Sequence, residues 1–169
     1  MMLEHLRRMA RYNAWANRRL YAACAQLAAD EYRKPRPAFF GSIHGTLNHL
    51  LVVDRIWLAR IAGEPDPNLR LHDQPCASLS ELQQARADED ARMIRLADGY
   101  AEADLATNVR YRTMVRPETV DTPLHLCWLH LFNHQTHHRG QVHDQLSQTD
   151  VAPPPLDLIF YLRETDGPQ

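Results

Sequence analysis

The sequence predicts an all-α fold, a four-helix bundle built as a single domain over residues 1–169. Three observations lead there. Four long stretches carry apolar residues at helical spacing, and proline, glycine or a capping residue stands at their ends. A content of 44% hydrophobic and 24% charged residues is that of an ordinary globular domain, and 169 residues suffice to bury a substantial core.

The first helix is expected over residues 2 to about 29, where Leu6, Met9, Tyr12, Asn13, Ala16, Leu20 and Ala23 recur at helical spacing. Pro35 and Pro37 forbid its continuation. A second helix, from about Ser42 to Ala62, aligns Ile43, Leu47, Leu50, Leu51, Trp57, Leu58 and Ile61 on one stripe, with His49, Val53 and Ile56 beside it. So little of its circumference is polar that it should lie at the centre of the bundle. Gly63, Pro65, Pro67, Asn68 and Pro75 then mark a loop.

Ser78, with Glu81 three residues on, has the form of a capping box and opens a third helix running to about Ala103. Between Asp104 and Asp121 the helical period is lost. Val109–Thr113 alternates as a short strand, and Val115–Val120 is expected to pair with it around Arg116-Pro117, giving a small β-hairpin before the fourth helix. Thr122 as N-cap with Pro123 in the first helical position opens that helix, which should reach about Leu146. Pro153, Pro154 and Pro155 break the chain, and the apolar segment Leu156–Leu162 forms a short C-terminal helix that closes on the bundle.

A net charge of −2 argues against general binding of nucleic acid or of an anionic membrane, both of which demand a basic excess. Arg7, Arg8, Arg11, Arg18 and Arg19 in the first helix read as a solvated face. No apolar run approaches the ~20 residues of a membrane span, and the charged N-terminus lacks the apolar stretch of a signal peptide. Cys24, Cys76 and Cys127 show no CxxC pairing and leave one thiol over in any disulfide scheme, which suits a reducing cytoplasm. The expectation is a cytoplasmic protein with a small-molecule substrate and neither nucleic-acid nor membrane partners.

The chemistry concentrates in Asn133-His134-Gln135-Thr136-His137-His138-Arg139-Gly140-Gln141. His134 and His138 are four residues apart on a helix, where Cβ atoms lie ~6 Å apart and two ring nitrogens can converge on one ion. Projection puts both on the core side with Leu124, Cys127, Leu131 and Val142. Two imidazoles side by side on an apolar stripe need a shared partner, and a metal ion is one. His49, on the second helix, is the best third ligand. His130 lies near the same stripe as His134 and His138. Residues eight apart stand ~12 Å apart along the axis, so one ion takes His134 with His138, or His130 with His134, but never His130 with His138. The core-facing direction favours the first pair.

Three neutral imidazoles leave an ion its full charge and open coordination positions, the pattern of a catalytic rather than a closed structural site. Zinc is the default divalent metal for such donors, and nickel, iron and manganese fit them too. Water on such an ion is acidified towards neutral pH, and a thiol is ionised outright. Gln141, Asp54 and His130 are the candidates to support the ligands. For Asp54, in the middle of an apolar stripe, pairing with an arginine is the favoured role. Gly140, unfavourable inside a helix, suggests close helix packing beside the site.

These residues resemble the DinB family, within the broader DinB/YfiT-like superfamily of metal-dependent proteins. The likeness runs through Tyr12-Asn13-Ala14-Trp15-Ala16-Asn17-Arg18-Arg19-Leu20, Gly41-Ser42-Ile43, Leu47-Asn48-His49-Leu50-Leu51, the histidine-rich string above and Leu156-Asp157-Leu158-Ile159. The resemblance implies a four-helix bundle with a divalent metal on His49, His134 and His138, commonly in a homodimer. The family takes its name from damage-inducible genes, which adds a stress response to the expectation. Related superfamily members include enzymes that use low-molecular-weight thiols to transfer or isomerise. Thiol-dependent transferase chemistry on a small electrophile is therefore the leading functional expectation, ahead of a metal-dependent hydrolase and of a metal-binding stress protein without turnover.

Overall fold

The computed structural model describes residues 1–114, 118–165 and 167. Helix α1 (Met2–Cys24) starts where the Glu102 carboxylate accepts hydrogen bonds of 3.2 Å from the amides of both Met2 and Leu3, so a distant acidic side chain satisfies the first turn. It ends at Cys24 rather than near residue 29. Nothing in Ala25 to Ala28 breaks a helix by propensity. The stop is set by packing, because the turn returns Leu27 to the core and launches α2 (Ala29–Arg33), whose buried Tyr32 shares a 2.9 Å hydrogen bond with His44 Nδ1.

Helix α3 (Ile43–Ala62) opens with Ser42 Oγ accepting from the Gly45 amide at 3.0 Å and closes on Gly63, whose φ of 68° is the left-handed cap conformation. It is buried without interruption from Ile43 to Asp54, as its apolar circumference requires. Helix α4 (Leu79–Gly99) is capped by Ser78 Oγ, which accepts from the Glu81 amide at 3.2 Å. The Glu81 carboxylate reaches back to the Ala77 amide at 2.7 Å, one residue beyond the Ser78 amide of a capping box. The helix stops at Gly99, short of Ala103, and a 3-10 turn (Glu102–Ala106) buries Leu105 and delivers Glu102 to the start of α1.

The hairpin pairs β1 (Asn108–Arg112) with β2 (Thr119–Pro123), Val109 facing Thr122 and Tyr111 facing Val120. The second strand thus runs several residues later than Val115–Val120, and its expected turn at Arg116-Pro117 lies outside the described residues. Thr122, expected as an N-cap, is held in the strand ladder, and α5 (Leu124–Ser147) begins after Pro123 with no side-chain cap. Helix α6 (Leu158–Thr165) closes on α1 through Tyr12, Trp15 and Tyr161, with Trp15 Nε1 donating to Glu164 at 2.8 Å.

The four long helices pack in a square in which α1 and α3 each touch α4 and α5, leaving α1 diagonal to α3 and α4 diagonal to α5. One end of the interior holds Leu58, Met93, Trp128 and Leu131, and the other Leu20, Leu47, Leu51, Leu82 and Leu146. Burying each such side chain contributes about 1.5–3 kcal/mol. No helix among the described residues is long and apolar enough to cross a membrane.

Candidate metal centre

Polar residues from all four long helices also enter the interior. Asp54 on α3 meets Arg86 Nη1 on α4 at 2.5 Å and accepts from the Gln135 side-chain amide on α5. Arg86 also lies 3.1 Å from Asp90, which accepts from Asn13 at 3.1 Å and Asn17 at 3.0 Å on α1. Arg139 on α5 completes the circuit, donating to Asn13 and, at 3.1 Å, to Gln135 Oε1. Two arginines and two aspartates cancel. Burial pushes the Asp54 carboxyl up to about 6 against the pull of Arg86, so the pair stays ionised at neutral pH. Burial works against the Arg86 charge, but Asp90 and Asp54 outweigh it and raise its pKa.

Beside this network, α3 and α5 bring His49, His134 and His138 together, one ring nitrogen from each lying within 4.8 Å of the others. Their ring centroids are 5.2, 4.6 and 4.3 Å apart for the pairs 49–134, 49–138 and 134–138. His49 and His138 have their tautomers set from behind. His49 Nδ1 donates to the Leu71 carbonyl at 2.9 Å, and His138 Nδ1 donates to Gln141 Oε1 at 2.7 Å, so both rings turn an Nε2 lone pair inward. Gln141 in turn donates to His137 Nε2 at 3.1 Å.

His134 is the diagnostic member. Its Nε2 sits 3.2 Å from His49 Nε2, while its Nδ1 is buried with no partner. If Nε2 carries the proton, it donates to His49 and leaves a bare acceptor at Nδ1. If Nδ1 carries it, an N–H is bare and two lone pairs face each other. Neither tautomer satisfies the pair within the chain. A tetrahedral ion with Zn–N bonds of 2.0–2.1 Å would set nitrogens roughly 3.3 Å apart, close to the 3.2 Å between His49 and His134. Burial pushes His49 down to about 4 and His134 down to about 3, and lowers His138 as well, so all three are neutral donors at pH 7. The three-histidine group can hold a metal ion.

Of the other residues expected near the ligands, Gln141 alone touches one. Asp54 turns to Arg86 and Gln135 and so belongs to the network, as a buried carboxylate in need of a cation must. His130 is exposed, its ring 4.7 Å from Trp57 and 6.0 Å from His134, and stands outside the three-histidine group. Gly140 meets nothing within 4 Å of where a Cβ would be, so close packing does not explain it. What sequence reasoning missed lies in loops. The Phe40 ring stacks on His49 with centroids 3.8 Å apart and its edge faces His138. Asn48 grips both backbone groups of Cys76, accepting at 3.1 Å and donating at 3.3 Å, and so ties down the loop that carries Leu71. The motif Leu47-Asn48-His49 was the available signal, since a buried asparagine beside a ligand candidate needs a polar task.

Against this geometry, the DinB family sequence profile matches residues 2–169. The chain belongs to the DinB family. It is similar to Protein DinB of Bacillus subtilis (strain 168), 23% identical over 159 residues that cover 89% of this chain and 90% of that protein. The DinB match thus spans the helices that supply the histidines and those that complete the buried network.

Proposed function

We propose that this DinB-family chain is a divalent-metal-dependent enzyme that transfers a low-molecular-weight thiol to a small electrophile, with His49, His134 and His138 as the metal ligands. The observation that carries it is the convergence of three neutral imidazoles whose polar demands the chain does not meet by itself. A divalent ion held by these residues supplies a Lewis acid that favours loss of a proton from a thiol or water. The chain supplies the rest. Leu71 and Gln141 hold two rings in one tautomer, Phe40 covers His49, and the adjoining cleft receives the reactants. In the transfer, the thiol gives its proton to solvent, a sulfur–carbon bond forms, and the leaving group departs with its bonding pair.

An open set of three ligands favours turnover over passive binding. Asp54 and His130, candidates to support the ligands, instead meet Arg86 and Gln135, and Trp57. Zinc is the first metal to test, and the homodimer that the family resemblance implies is part of the same proposal.

Protein purified without a histidine tag should carry near-stoichiometric metal by elemental analysis, and His134→Ala and His138→Ala should each lose it. Retention in both would contradict the ligand assignment. Metal-loaded protein given a thiol and a chromogenic electrophile should outpace His49→Ala by at least the ~100-fold typical of losing an electrostatic stabiliser. Equal rates sink the enzyme, and full activity without thiol replaces transfer by hydrolysis.

A further inference from the structure

A cleft of about 370 Å³ opens directly onto the histidine group, and its two walls differ in kind. His137, His138 and Gln141 form one, on α5. Facing them are Phe39, Phe40, Leu71 and His72, from the loops on either side of α3. Phe39 is 78% exposed, although a large apolar side chain gains most from burial. It is presented by a tight turn in which the Gly41 amide donates to the Ala38 carbonyl at 2.8 Å and Gly41 takes a φ of 75°. From there its ring meets Phe40 edge-on at 4.9 Å and leans on His72 at 5.9 Å.

We infer that this aromatic wall is a binding subsite for a flat aryl group on the electrophilic substrate, an inference that rests on the metal-site reading above. Three rings at the mouth offer faces and edges to a fourth, an arrangement suited to offset or edge-to-face stacking. Among the described residues lining the cleft there is no lysine or arginine, so it offers no cation to a polyanionic ligand. The volume suits a small molecule, and continuity with His49 and His138 lets one ligand reach the histidines and the rings together.

Calorimetric titration of zinc-loaded protein with benzohydroxamate and with acetohydroxamate separates the two parts, since both probes chelate metal and one alone carries a ring. Benzohydroxamate should bind about five- to tenfold tighter, the scale of an aromatic contact. Phe39→Ala should cut that preference below about twofold, with zinc content and acetohydroxamate affinity unchanged, and Phe39→Tyr should restore it. Equal affinity of the two probes in the unmodified protein, failure of both to bind the zinc-loaded form, or a preference that survives Phe39→Ala overturns the subsite. If the protein takes up no zinc, the metal reading fails separately. The subsite is then judged on metal-free protein by amide shifts on adding benzyl alcohol. Saturable changes at Phe39, Phe40 and His72 sustain it, and their absence overturns it.

Discussion

Two polar centres lie side by side in this bundle, both drawing on α3 and α5 and the first on α1 and α4 as well, and they meet burial by different means. In the first, Asp54, Arg86, Asp90 and Arg139 cancel in charge and Asn13, Asn17 and Gln135 add hydrogen bonds, although Asp54 Oδ1, Arg86 Nε and Arg86 Nη2 keep no hydrogen-bond partner. In the second, His49 and His138 are anchored from behind, yet His134 keeps a buried nitrogen without a partner and the three rings face one another. A centre whose opposite charges come from different helices ties those helices together. A group of neutral rings that converge without charge to hold them can instead take up an ion.

The largest expected effect breaks the charged centre. Arg86→Met leaves Asp54 and Asp90 buried without their guanidinium and should cost about 3–5 kcal/mol in urea denaturation. A loss under about 1 kcal/mol would mean that the network does not tie the helices together.

Acid should separate the centres next. His49 and His134 have folded pKa values near 4 and 3, below the ordinary 6.5, so the unfolded chain takes up their protons first. Their contribution is intact above pH 6.5 and is lost as pH falls towards 4 and then 3. Asp54, raised to about 6, acts in the opposite sense, since its burial cost is relieved as pH falls below 6. Between pH 6.5 and pH 4, metal-free protein should therefore lose stability relative to the double variant His49→Gln/His134→Gln. Parallel urea midpoints across that window would show that the histidines carry no burial cost.

The smallest effect is a control between the two. Gly140 sits between Arg139 of the network and Gln141 of the histidine group, and a Cβ there meets nothing. Gly140→Ala should stabilise the helix by about 0.5–1 kcal/mol in thermal unfolding without altering metal content. Destabilisation would show that α5 needs the glycine for a contact beyond this chain.

What could be read in the sequence was local. Ser78 announces a helix start because an N-cap acts on amides two or three residues away, and it caps as expected; Ser42, at the expected start of α3, caps as well. His134 and His138 were legible because four-residue spacing and an apolar stripe are properties of one helix. The end of α1 at Cys24 and of α4 at Gly99 was not, since burial of Leu27, Tyr32 and Leu105 sets them through distant contacts. Thr122 misled because a good capping residue is also a good strand residue, and pairing with Val109 won. Asp54 demanded a cation, but only the square packing of helices shows that Arg86 provides it. The Leu71 carbonyl and the Phe40 ring come from loops, where no periodicity marks a residue as facing a site.

Gly45 gives the turn above the histidines a further property. A Cβ at that position would stand 2.1 Å from the Phe40 carbonyl oxygen, so the turn rests on bare helix backbone. At that contact its height is set by main chain, to which the stacking of Phe40 on His49 is added. On the subsite proposed above, a change at position 39 would alter the aromatic wall while the close approach at Gly45 keeps the turn seated.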